Sequence, residues 1–194
     1  MKKHRAIFTF MIAYFFLNDA IATTIAMMAI YATTIVGFSS GQFIILYLVS
    51  TVSTIIGSLA FGYITKAVGA KRAITMVAVI MILALTFAVF ATEQWMFWIA
   101  GSMFGVSLGS MWVTSRTYIM ELSPDEKRGQ FFGLFAFSGK VSSIIGPAIY
   151  GTVTLWMKDY GTLASRVALS TLIFMTIIGL LVHIKVQDKN GNTR

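Results

Sequence analysis

The chain has 194 residues, of which 57% are hydrophobic and only 11% charged. Soluble domains carry about 25% charged residues, so a water-soluble globular protein is excluded. The formal charge of +8 would suit nucleic acid, but the bases cluster between apolar runs, where they act as topology determinants, and no nucleic-acid partner is expected. With no cysteine there is no disulfide framework, thiolate metal site, cysteine nucleophile or cysteine-linked lipid anchor.

Six apolar runs follow one another, at about 7–34, 42–65, 73–91, 95–120, 131–156 and 167–186, each near the ~20 residues that cross a bilayer. The first starts like a secretory signal, with Lys2, Lys3 and Arg5 ahead of it. Asn18-Asp19 interrupts it, however, and hydrophobicity continues to Val36, so it reads as a membrane span. The connections sort by parity: the N-terminus, the second and fourth connections and the tail hold eleven of the fifteen bases. Both ends are therefore expected in the cytoplasm, with residues 1–6 and 187–194 as cytoplasmic extensions of one bundle covering 1–194. Trp95, Trp98, Trp156 and Tyr160 fall at the opposite interface, as an aromatic belt would.

Within the spans, the polar residues are the informative ones. Asp19 lies about 20 Å from the cytoplasmic end of the first span by helical rise. The second span sets Ser50, Ser53, Thr54, Gly57 and Ser58 on one side. The fourth repeats glycine at Gly101, Gly105 and Gly109, a pattern that lets helices touch, and Trp112 and Arg116 continue it. Arg116 lies near the cytoplasmic boundary and either snorkels to the headgroups or faces a cavity. The third and sixth spans have no mid-span charge and read as outer, lipid-facing supports.

The fifth span carries Lys140 about 15 Å along its helix, near the midplane of a core about 30 Å thick. A charge there costs on the order of 2.5–3.5 kcal/mol even on a lenient insertion scale. Lys140 thus needs either an ion pair, with Asp19 at comparable depth, or a role in handling substrate or protons. Gly139, Ser143, Pro147 and Gly151 recur every fourth residue, and Gly139, Gly146 and Pro147 mark close packing and a bend. Between the fourth and fifth spans, Ser123-Pro124 reads as the cap of a short helix, with Glu126 closing a capping box. His4 and His183 lie at span ends and are not expected to bind metal. There is no phosphate-cradling loop, nucleophile elbow or His-Glu-x-x-His, so neither a cofactor nor an enzymatic activity is expected.

Several blocks together resemble the major facilitator superfamily, more narrowly its vacuole-effluxer-like branch and there the C-terminal six-helix half. They are residues 13–20 around Asn18-Asp19, residues 69–72, Ser115-Arg116 through Pro124, and residues 130–133 with Ser138-Gly139-Lys140 through Gly146-Pro147. The resemblance implies an all-α membrane protein whose six helices form two inverted three-helix repeats. It also implies secondary transport of a small solute by alternating access opposite a second six-helix bundle, where Lys140 and Arg116 would favour an anionic or zwitterionic solute such as an amino acid. Asn18, Asp19, Arg116 and Lys140 become candidate cavity residues. The alternative is a non-transporting subunit or truncated remnant of a twelve-helix transporter. One departure is that the loop after the second span has Lys66 where the family usually places an aspartate four residues after a glycine, here Gly62.

Overall fold

The computed structural model describes residues 2–186, so the expected tail at 187–194 lies outside the described residues. Six long helices follow in order: α1 (Lys2–Thr34), α2 (Ser40–Val68), α3 (Ala70–Phe90), α4 (Gln94–Leu122), α5 (Arg128–Trp156) and α6 (Thr162–Ile184). All six are long and apolar enough to cross a membrane. Single 3-10 turns at Asp125–Lys127 and Lys158–Tyr160 complete the fold among the described residues.

The connections follow from local chemistry. Ser39 opens α2 with a capping box: its hydroxyl accepts the Gln42 N–H, while the Gln42 side chain accepts the Ser39 N–H at 2.9 Å. One residue, Gly69, joins α2 to α3 at φ 88, a backbone conformation that costs glycine nothing, and its N–H donates to the Thr65 carbonyl. The turn after α4 differs from expectation. The Ser123 hydroxyl caps no following helix; it donates back to the Ile119 carbonyl at 2.6 Å, which also accepts the Ser123 N–H at 3.0 Å. Pro124 stands just before the 3-10 turn, and Arg128 pairs with Asp125 at 2.7 Å.

Packing gives the bundle its internal symmetry. α1 lies against α5 and α6, and α4 lies against α2 and α3, so the first helix of each three-helix set packs on the second and third of the other. The glycines of α4 make the tightest seam. Gly105 and Gly109 press against the backbone carbonyls of Ser50 and Thr54, and Gly101 against the Leu46 side chain, with no room for a Cβ. The Ser50 hydroxyl donates to the Gly101 carbonyl at 2.9 Å, and the Ser110 hydroxyl to the Gly57 carbonyl at 3.2 Å. The small polar side of α2 and the glycine repeat of α4 are therefore two halves of one contact.

α3 and α6 close the back of the bundle, as expected of supports, but their inner faces are well covered: Ala73, Val77, Ala84, Ala88, Ala168 and Leu172 are buried. Arg166 of α6 locks this side, its two guanidinium nitrogens donating to the Val89 and Ala91 carbonyls at 2.8 and 2.9 Å where α3 ends. The least covered helices are instead α2 and α5. They expose Ile44, Leu48, Ile55 and Leu59 on one helix and Phe137, Ile144 and Leu155 on the other.

α5 runs unbroken through Pro147. Its packed strip is rotated from the four-residue repeat read in the sequence. Ser142, Gly146 and Tyr150 are buried, and a Cβ at Gly139 would meet the Tyr14 ring. Gly151, by contrast, has nothing within 4 Å of a Cβ position.

Candidate functional site

A cavity of about 460 Å³ opens between α1, α4 and α5. α1 contributes Tyr14, Asn18 and Ala22; α4 contributes Trp112 and Arg116; α5 contributes Phe135, Gly139, Lys140 and Ser143. Three of the four candidates from the sequence thus share one wall: Asn18, Arg116 and Lys140. Both cations are exposed side chains, and neither forms an ion pair with Asp19. Among the described residues no acidic side chain lines the cavity, so its polar surface carries two positive charges without a fixed counter-charge.

Asn18 is held in place from three directions. Its amide donates to the Gly139 carbonyl at 2.9 Å and to the Ser142 hydroxyl at 2.8 Å, and its carbonyl accepts from the Tyr14 hydroxyl at 3.1 Å. Tyr14 in turn packs on Phe135, ring centroids 4.2 Å apart. These contacts fix the relative height of α1 and α5 beside Lys140. Tyr14, Phe135 and Ser142 were not singled out in the sequence, although Tyr14 lies one turn before Asn18 and Ser142 one turn after Gly139.

Asp19 is placed differently from the other three. It does not line the cavity; it is fully buried behind it. Its Oδ1 accepts the backbone N–H of Gly146 at 2.7 Å, and its Oδ2 has no hydrogen-bond partner. One turn on, the Thr23 hydroxyl is also buried without a partner. A Cβ at Gly146 would overlap both side chains, so only glycine lets α5 seat against this pair. The expected Asp19–Lys140 pairing is not formed. The carboxylate finds its partner on α5 six residues beyond Lys140, while the lysine turns to the cavity.

A second, more apolar cavity of about 330 Å³ adjoins the first, sharing Ile25, Leu108 and Trp112. Met28, Phe43, Leu46 and Phe104 line its far side. Among the described residues no group of three or more His, Asp or Glu side chains could hold a metal ion.

The family model described as "Vacuole effluxer Atg22 like" matches residues 1–194. The chain belongs to the Atg22-like vacuole effluxer family. It is 29% identical over 192 residues to the uncharacterized MFS-type transporter YxiO of Bacillus subtilis strain 168, covering 98% of this chain and 43% of YxiO. It is also 29% identical over 161 residues to autophagy-related protein 22 of Candida glabrata, covering 77% of this chain and 30% of that protein. The fold is similar to that of the major facilitator proton:xylose symporter XylE bound to 6-bromo-6-deoxy-D-glucose. That match has a TM-score of 0.78 at 15% identity and covers 96% of this chain and 45% of XylE. The Atg22-like chain thus spans less than half the length of these relatives. It is an all-helical, multi-pass membrane protein of a transporter family.

Proposed function

We propose that this chain forms one six-helix half of a secondary transporter for a small anionic or zwitterionic solute, such as an amino acid. It would work by alternating access opposite a second six-helix bundle. The observation that carries the reading is the pairing of Arg116 and Lys140 on one cavity wall with no acidic lining residue. In a site with low-dielectric walls, two unneutralised cations focus a positive potential that attracts a carboxylate. The Arg116 guanidinium can grip such a group with two parallel donors, and Lys140 adds a point charge. Tyr14, Phe135 and Trp112 give the rest of the solute an aromatic wall.

The second bundle would sit over the apolar faces of α2 and α5. Exposed apolar area of this extent marks a surface that meets either lipid or protein. The membrane would be the cell membrane with both ends in the cytoplasm, since the bases concentrate at the N-terminus, at Lys66, Lys71 and Arg72, and at Lys127 and Arg128.

The test is counterflow of labelled amino acids in proteoliposomes holding the chain alone or with a co-expressed partner bundle. Lys140→Ala and Arg116→Ala should each raise the half-saturating concentration about tenfold or more, the equivalent of losing about 1.4 kcal/mol of binding. A double variant that transports at the original rate and affinity would remove the cavity from the mechanism. Cross-linking from single cysteines at Phe137 or Ile144 would then identify the second bundle as another copy or a separate chain.

A further inference from the structure

We propose that Asp19 is a proton-binding site separate from the solute cavity, and that its occupancy governs the α1–α5 contact at Gly146. The proposal builds on the transport reading by naming the ion that would be coupled to the solute.

Three observations converge. Asp19 is fully buried at the middle of α1, and its Oδ2 has no hydrogen-bond partner. The Thr23 hydroxyl, one turn along the same helix, is likewise buried and unpartnered. Both crowd the missing Cβ of Gly146, whose N–H is the one donor the carboxyl has. A lone N–H does not neutralise a charge withdrawn from water, and buried charges persist only when paired.

Among the described residues no neighbour supplies a counter-ion. On α1, Tyr14 bonds to Asn18. From α5, Lys140 turns to the cavity and Tyr150 lies a turn beyond Gly146. From α4, Arg116 also faces the cavity. From α6, Arg166 is spent on the end of α3, and His183 bonds the Lys71 carbonyl at the other end of the helix. The other described carboxyls lie at helix ends or in loops, so among the described residues Asp19 alone is placed at mid-bundle.

A proton suits these atoms better than a metal ion. The carboxylate and Thr23 offer three oxygens, whereas hard cations such as calcium take six to eight. Binding is simple: a hydronium ion gives one proton to Oδ2 and leaves as water, and the new O–H can donate to the Thr23 hydroxyl. Release restores a carboxylate whose charge favours water over this seam. That loosens α5 from α1 at the residue before Pro147, where the helix already lacks a backbone donor. Coupling would follow because the same helix carries Lys140 into the cavity.

The experiment needs neither solute nor second bundle, so its failure is distinct from failure of the transport reading. Infrared difference spectra are recorded on the full chain in lipid nanodiscs between acidic and alkaline buffer, with and without sodium. One carboxylic acid band should titrate in the unmodified chain and be lost in Asp19→Asn, whose amide carbonyl can still accept the Gly146 N–H. The band should shift in Thr23→Val, which tests the idea even if Asp19→Asn does not fold. Superimposable spectra for the unmodified chain and Asp19→Asn would overturn the proposal. So would an unmoved band in Thr23→Val, or a band that follows sodium at constant pH.

Discussion

Replacing Gly105 with alanine should destabilise the bundle, although alanine is the better helix former. A Cβ at this position runs into the Ser50 carbonyl, which belongs to the α2 backbone and has no flexible end to swing away. α2 must therefore retreat from α4 along the seam that Gly101, Gly105 and Gly109 create. Overpacking of this kind costs about 1–3 kcal/mol. Opening the seam also weakens two interhelical hydrogen bonds, Ser50 to Gly101 and Ser110 to Gly57, at about 0.6 kcal/mol each. The gain in helix propensity offsets about 1 kcal/mol. A net loss of about 1–3 kcal/mol should remain, read as an earlier transition in SDS-induced unfolding followed by helical circular dichroism. Gly62→Ala is the matched control: nothing lies within 4 Å of its Cβ position, so it should be neutral or stabilise by up to about 1 kcal/mol. Equal effects of the two substitutions, or a more stable Gly105→Ala, would refute the close α2–α4 contact.

Two other side chains give further checks. Asn18→Ala removes both of that side chain's hydrogen bonds to α5, and should cost about 1 kcal/mol in the same unfolding assay. It should also raise the cross-linking distance between cysteines introduced on the two helices at that level. Arg166→Lys keeps the charge but loses the two-nitrogen grip on the Val89 and Ala91 carbonyls. It should lower stability by about 1 kcal/mol or more, against no change if the contact were only electrostatic.

The number of spans and the location of the seam were legible because both depend on composition and coarse spacing. Apolar length, base parity and the glycine repeat of α4 all survive projection onto a line. Azimuth does not survive as well. In α5, Gly139, Ser143, Pro147 and Gly151 step by four residues, and at 3.6 residues per turn such a row drifts about 40° with every step. The real contact mixes steps of three and four, through Gly139, Ser142, Gly146 and Tyr150, and so stays on one face. Asp19 illustrates the same limit. Its depth follows from helical rise, but pairing with Lys140 also required the two side chains to face each other. Neighbouring residues on a helix point about 100° apart, so Asn18 can line the cavity while Asp19 turns into the bundle. Ser123 was misread for a different reason. Its hydroxyl can serve the turn ahead or the helix behind, and it joins its own N–H on the Ile119 carbonyl, a choice visible only once α4 is seen to end there.

A solute can reach Lys140 and Arg116 only if they face water rather than lipid. The chain has no cysteine of its own, so single cysteines can be placed at Ser143 and Ala22 on the cavity wall and at Phe174 on the outer side of α6. In bilayers, a charged, water-borne thiol reagent should label the cavity positions rapidly and the α6 position hardly at all. Labelling of all three at the same slow rate would mean that no wet cavity exists around the two cations.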